Sequence, residues 1–248
     1  MIRTISIVIF VVVFLICSIP VLIAEWIIGK FNQDMKNRSS LAIVNWAFRV
    51  ILCMTGVKVI VKGEERIPKE TAVLYVGNHR SYFDILLTYV RVPRPTGYIA
   101  KKEMNKYPLL NNWMRNLHCL FLNRQDIKQG LKVVLSAIEE VKNGVSICVF
   151  PEGTRNKVND TFLPFHEGSF KIADKGGVPI VPMSIVNAAD IFEDHLPKVK
   201  KTTVVIEYCE PIYMNELDKD AKKTIGSYVS GIIADTYFRN KKEYFESN

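Results

Sequence analysis

A histidine and an aspartate, His79 and Asp84, lie five positions apart in the run Asn78-His79-Arg80-Ser81-Tyr82-Phe83-Asp84. On one continuous helix that offset would leave them about 140° apart, on different faces. They meet only if the chain turns between them, with His79 in the turn and Asp84 in the first turn of a helix for which Ser81 is the expected N-cap. Asp84 then accepts from one imidazole nitrogen and leaves the other unprotonated and facing outward. That is the arrangement of a general base acting directly on a substrate hydroxyl, with no serine or cysteine nucleophile required. On these residues alone two readings stand side by side: such a base, or a histidine satisfied at a helix start.

A second constellation, Pro151-Glu152-Gly153-Thr154-Arg155, follows the continuous apolar run 145–150. Gly153 lets the backbone approach an anion, Thr154 donates, and the Arg155 fork matches phosphate with two parallel hydrogen bonds. A structural arginine paired with Glu152 is the equal alternative. Arg124 and Lys101 each end an earlier apolar run, so three cations and one histidine fall at four expected strand ends, the pattern of a convergent anion site.

These residues need a scaffold, and the hydrophobic pattern supplies one. The run 71–76 closed by Gly77 and the run 85–90 read as strand, turn and helix around His79. Further strands are expected over 57–61, 98–100, 119–122, 145–150, 178–186 (interrupted by Pro179 and Pro182) and 203–209. Helices are expected over 105–117, with Pro108 in the first turn, and over 215–240. Asp126 caps a helix whose Ile127, Leu131, Val134, Leu135, Ile138 and Val141 form one stripe, with Gly144 just past its end. The fold class is therefore α/β: a central mixed, largely parallel sheet flanked by helices, over residues 57–248, with no repeat and no second globular domain.

The remaining residues, 1–56, read as an N-terminal membrane-associated helical hairpin. Residues 4–24 carry no charge and are long enough to cross a bilayer core, which takes about 20 residues. Pro20 and Glu25 interrupt a simple span, so a segment that enters one leaflet and returns is the alternative. Lys30, Lys36 and Arg38 next to this segment place the following chain on the cytoplasmic side. Residues 41–57, with Asn45 and Arg49 on one face and Trp46 beside them, suit an amphipathic helix lying in the membrane surface or packed on the first helix. Net charge is +8 with 48% hydrophobic residues, which favours an anionic membrane and phosphorylated ligands. No nucleic-acid motif is present. The five cysteines are scattered, mostly in apolar runs, and read as buried free thiols of a reducing compartment. With four histidines and no His-x-x-x-His pair, no metal site is expected.

In this order the blocks Asn78-His79-x-x-x-x-Asp84, Ala100-Lys101-Lys102-Glu103-Met104 with Phe121-x-x-Arg124, Phe150-Pro151-Glu152-Gly153-Thr154-Arg155 and Val178-Pro179-Ile180-Val181-Pro182 resemble the glycerolipid acyltransferase family, especially the 1-acylglycerol-3-phosphate O-acyltransferases. The resemblance covers about residues 57–210. It implies acyl transfer from a coenzyme A or acyl-carrier-protein thioester, as co-substrate and with no other cofactor, to the free hydroxyl of lysophosphatidic acid. It implies His79 as base and Asp84 as its orienting partner. Glu152, Gly153, Thr154 and Arg155 would hold the glycerol phosphate, with Arg124 and Lys101 in support. The chain departs from the family pattern at Asn111 and His118, where glycines are usual, and at His166, where lysine is frequent.

Overall fold

The computed structural model describes residues 1–246; the last two positions of the expected 57–248 domain lie outside the described residues. In chain order the elements are α1 (Ile2–Cys17), α2 (Ile19–Phe31), α3 (Gln33–Thr55), β1 (Lys58–Lys62), β2 (Leu74–Gly77), α4 (Phe83–Tyr89), β3 (Thr96–Lys101), α5 (Leu110–Asn116), β4 (Leu120–Leu122), α6 (Ile127–Lys142), β5 (Ser146–Val149), α7 (Lys171–Gly176), β6 (Ile180–Val186), β7 (Thr203–Tyr208), α8 (Lys219–Lys223) and α9 (Ile225–Phe245).

The seven strands form one sheet in the order β1-β7-β6-β2-β5-β3-β4. All neighbours are parallel except β6 and β7. Strands β2, β5 and β6 are buried along their whole length, which explains their unbroken apolar sequences. Pro182 does not interrupt β6, because it sits just beyond Met183↔Tyr208, where the ladder to β7 stops. Helices α3, α4 and α5 cover one face through Val44, Ile51, Leu87 and Trp113. Helices α6, α7 and α9 cover the other through Val141, Ile172, Val229 and Ile233. Because β2, β3, β4 and β5 run parallel, the segments that follow them all leave the sheet along one edge.

Several local expectations shift. The helix expected over 105–117 is shorter: a 3₁₀ turn at Lys102–Lys106 precedes it and α5 begins only at Leu110. Pro108 is the cause, since it holds Tyr107 extended (φ −85°, ψ 111°) and breaks the run there. Helix α4 starts at Phe83 with Tyr82 as its cap position, yet Ser81 Oγ accepts from Phe83 N, so the serine satisfies a first-turn donor from one residue further out. On α6 the Asp126 cap and Gly144 (φ 84°) fall as read. The buried face is Val133, Ala137, Ile138 and Val141, whereas Ile127, Leu131 and Leu135 are exposed: the apolar arc is wider than the face the sheet covers. All five cysteines are free, but only Cys148 and Cys209 are buried; Cys17 and Cys53 are exposed on α1 and α3.

The N-terminal region is three helices. Pro20 stands in the first turn of α2, where its missing N–H is tolerated, and α1 and α2 meet at a 48° bend. Among the described residues no single helix is long and apolar enough to cross a membrane, although the bent pair passes by length and composition. Helix α3 runs alongside both, and Phe10, Phe14 and Leu15 of α1 pack on the core. Trp113 of α5 donates to Ser18 Oγ at 2.9 Å, tying the bend to the α/β region.

Candidate active site

Asn78 is the first residue past β2. Its side chain exchanges two hydrogen bonds with the backbone of Ile185 on β6, which pins the start of the turn. Next, His79 N donates to Glu152 Oε1 at 2.7 Å and Asn156 N donates to His79 O at 2.7 Å. The His79 backbone is therefore held at both its N–H and its C=O by the loop that follows β5. Its ring stacks on Phe150, with centroids 4.3 Å apart.

His79 Nδ1 lies 2.8 Å from Asp84 Oδ2. The same carboxylate oxygen accepts from Arg80 N at 2.8 Å and Ser81 N at 2.7 Å. The turn that brings the two side chains together thus also supplies the amides that hold the aspartate. Asp84 is 1% exposed and the imidazole 14%. With Nδ1 engaged, Nε2 is the nitrogen that faces out, so the base reading has the geometry it needs.

The second loop divides. Glu152 is buried, and its two oxygens accept from His79 N and from Leu163 N at 3.1 Å. Burial pushes its pKa above the usual carboxylate range, against the amides, which favour the charged form. Glu152 is a clamp between loops, and its hydrogen bonds go to backbone amides and not to Arg155. Gly153 adopts φ 70°, which favours glycine, and a Cβ there would also press on the His166 ring at 3.1 Å. Arg124, Glu152, Gly153, Thr154 and His166 line a cleft of about 590 Å³ whose other wall is apolar, built from Ile99, Leu122, Val134 and Phe150. Phe150 therefore separates this cleft from His79.

Lys101 and Arg155 do not line that cleft. Lys101 is exposed and lies 3.7 Å from Glu103. Arg155 turns the other way: its guanidinium stacks on the Tyr82 ring at 3.6 Å, and Nη1 donates to Glu193 Oε1 at 3.1 Å. The four strand ends do share one edge, as read, but their cations face two sides of the Phe150–His79 stack. Sequence reading assigned nothing to Asn78 itself, Asn156, Tyr82 or Glu193. Asn78 and Tyr82 stand inside the quoted histidine run and Asn156 directly follows the second block, and that position is the available signal. Glu193 offered none.

At the positions of departure, His118 holds φ 58°, a conformation glycine adopts without strain, and its Nδ1 lies 2.9 Å from Glu140 Oε2. Asn111 Nδ2 donates to Asn105 O and so braces the turn before α5. His166 packs beside Gly153.

The acyltransferase family model matches residues 58–186. The chain belongs to the acyltransferase family. Among similar proteins, the 1-acyl-sn-glycerol-3-phosphate acyltransferase of Borreliella burgdorferi is 34% identical over 155 residues, which are 62% of this chain and 62% of that protein. That of Saccharomyces cerevisiae is 29% identical over 76% of this chain and 63% of its own length. The chain thus spans a little under two thirds of these two relatives. A probable 1-acyl-sn-glycerol-3-phosphate acyltransferase of Mycoplasma genitalium is 30% identical over 77% of this chain and 74% of that one. The crystal structure of the lysophosphatidic acid acyltransferase PlsC from Thermotoga maritima superposes with a TM-score of 0.81 at 25% identity, covering 98% of this chain and 96% of that one. The histidine block 78–84 and the block 150–155 both lie inside the matched region.

Proposed function

We propose that this protein transfers an acyl chain from a thioester, on coenzyme A or acyl-carrier protein, to the free hydroxyl of lysophosphatidic acid, giving phosphatidic acid. The observation that carries this reading is the 2.8 Å His79–Asp84 pair, with Asp84 Oδ2 held by two backbone amides. His79 Nε2 takes the proton of the acceptor hydroxyl, whose oxygen attacks the thioester carbonyl. The tetrahedral intermediate collapses with release of the thiolate, which takes the proton back from the imidazolium. Asp84 fixes the tautomer and supports the transient positive charge. A thioester is already activated, so a positioned base suffices.

The relatives named as acting on 1-acylglycerol-3-phosphate support the acceptor, and so does an arginine beside the histidine turn. Arg155 grips the phosphate on the Tyr82 side of the Phe150–His79 stack, while Arg124 and Lys101 add positive potential at the neighbouring strand ends and Thr154 offers a neutral hydroxyl donor. Glu152 and Gly153 serve by shaping the loop. The apolar wall of the cleft suits an acyl chain. The exposed apolar faces of α1 and α2, with Lys30, Lys36 and Arg38 nearby, suit attachment to an anionic membrane from its cytoplasmic face.

The test is turnover by the purified chain in mixed micelles, with acyl-CoA and acyl-carrier-protein donors. The acceptors are lysophosphatidic acid, lysophosphatidylcholine and monoacylglycerol. Acylation of lysophosphatidic acid well above the other two supports the proposal. Failure with both donors, or a preference for another acceptor, would overturn it. A chelator should leave the rate unchanged.

A further inference from the structure

Glu193 lies past the end of the family match, in the loop 187–202 between β6 and β7. Its carboxylate gathers three donors. Ser81 Oγ donates to Oε2 at 2.6 Å, Tyr82 N donates to Oε1 at 2.7 Å, and Arg155 Nη1 donates to Oε1 at 3.1 Å. Ser81 and Tyr82 belong to the turn between His79 and Asp84. Arg155 belongs to the other loop and also rests on the Tyr82 ring. One side chain from a third segment therefore touches both halves of the site. It is only 13% exposed.

The loop that presents Glu193 is itself fastened. Asp190 Oδ1 lies 2.6 Å from His195 Nε2, and Thr202 Oγ1 donates to Asp190 Oδ2. Asn187 Nδ2 donates to Thr202 Oγ1 and Thr203 O. Val199 N donates to Thr4 Oγ1 at 2.9 Å, which anchors the loop to α1. A carboxylate on a loop held at this many points is a fixed reference for the groups that bond to it.

We propose that Glu193 is a positioning residue that joins the histidine turn and Arg155 into one rigid unit, so that seating the acceptor's phosphate also aligns its hydroxyl with His79. The proposal rests on the acyltransferase reading above. With Nη1 committed to Glu193 and one face committed to Tyr82, the plane of the guanidinium is set, and the rest of its fork presents donors in one direction. The same carboxylate holds Ser81 and Tyr82, next to the amides that fix Asp84. Glu193 also offsets part of the charge of Arg155. That opposes phosphate binding, but a partly exposed charge is screened by salt, whereas the geometric constraint is not.

The experiment compares Glu193→Ala and Glu193→Gln in the full chain. Glu193→Ala should raise the KM for lysophosphatidic acid about tenfold and lower kcat about tenfold, as expected when both binding and alignment depend on one anchor. Glu193→Gln keeps the shape and an acceptor, and should recover most of both losses. On an Arg155→Ala background the KM effect of Glu193→Ala should vanish while the kcat loss persists, and with monoacylglycerol only the kcat loss should appear. A folded Glu193→Ala protein with unchanged KM and kcat overturns the proposal, as does a KM effect that survives on the Arg155→Ala background. Should the alanine variant fail to fold, Glu193→Asp, which keeps the charge but withdraws the carboxylate by one methylene from Ser81, Tyr82 and Arg155, carries the same comparison at smaller amplitude. Hydrogen exchange of the peptide spanning residues 79–84 gives a readout independent of turnover: Glu193→Ala should speed it. Faster exchange in a protein that does not acylate lysophosphatidic acid would sink the substrate reading and leave the positioning role standing. Unchanged exchange and kinetics in an active protein would sink only the positioning role.

Discussion

Asn78 Nδ2 donates to Ile185 O at 2.9 Å, and Ile185 N donates back to Asn78 Oδ1 at 2.9 Å, across 107 residues of sequence. The last β2–β6 pair is Gly77↔Met183, so the asparagine amide takes over the ladder where the β2 backbone leaves the sheet. That substitution of side chain for backbone frees the chain to turn and present His79 while β6 stays fully paired. Asn78→Ala would leave a buried N–H and a buried C=O without partners. The expected loss is roughly 2–4 kcal/mol of stability, with a further fall in kcat as the turn loosens. Asn78→Asp should be no better, because it sets a carboxylate against the Ile185 carbonyl. Urea unfolding of both variants checks this; a loss below about 0.5 kcal/mol, as at an ordinary surface site, would remove the ladder argument.

Glu152 offers a pH-dependent prediction. Burial raises its pKa, so the folded protein holds this proton at pH values where the unfolded chain has lost it. Its contribution to stability therefore falls as pH rises from the usual carboxylate range to the raised folded value, and is constant above. Glu152→Gln has no such slope, but offers one carbonyl to the two amides of His79 and Leu163, a loss of about 1–3 kcal/mol. The deficit of the variant relative to the parent should be largest at acid pH and shrink toward neutrality. Unfolding free energies measured in parallel across that range decide it: a deficit that grows with pH would mean that the amides, not burial, dominate.

What was legible in the sequence was what is local. The His79–Asp84 pair is closed by the two residues between them that donate amides, so spacing alone implied the turn. The Asp126 cap, the positive φ at Gly144 and the buried β5 and β6 were likewise written into short windows. The partners of Glu152 were not legible, because they are backbone N–H groups, which every residue carries and no sequence pattern marks. Glu193 was hidden for a different reason: it lies 111 residues from Tyr82 and meets it only through the β6–β7 loop. The helix at α5 was misplaced because Pro108 was read as a first-turn proline, whereas its effect on Tyr107 ended the preceding turn.

Helix α1 exposes Ile5, Ile9, Val12 and Ile16, spaced to form one face, and α2 exposes Ile19, Ile23, Trp26 and Ile27 beside it. If this face sits in a lipid surface, Ile9→Lys with Ile16→Lys should release the protein from anionic vesicles. Each isoleucine is worth about 1.5–3 kcal/mol when fully buried, so even partial insertion of both predicts a loss of affinity of at least tenfold. Neither residue contacts the sheet core, so the melting temperature should hold. Sedimentation with vesicles at low and high salt separates the contributions: binding through the apolar face persists at high salt, whereas binding through Lys30, Lys36 and Arg38 alone is screened. Unaltered sedimentation of the double variant would remove α1 from the interface.

The last prediction concerns the pair at the centre of the site. If His79 Nε2 takes the acceptor proton, His79→Ala should lower kcat by roughly 10²–10⁴-fold, with little change in the KM for lysophosphatidic acid, since Arg155 and Glu193 lie outside the imidazole. Asp84→Asn is the sharper variant. It nearly preserves volume, and its carbonyl can still accept from Arg80 N and Ser81 N, so the turn should fold. Its neutral amide cannot support an imidazolium; because one oxygen position serves Nδ1, Arg80 N and Ser81 N alike, a carbonyl kept there loses the supporting charge, and an N–H turned there forfeits both backbone bonds and forces the proton onto Nε2. The loss should approach that of His79→Ala, and the double variant should be little worse than either single one, because the two residues act as one unit. Independent, additive losses would mean that Asp84 serves the fold and not the base. A folded His79→Ala protein with near-normal turnover would end the base assignment altogether, leaving the acyl transfer to be explained by proximity at the Arg155 side of the Phe150 stack.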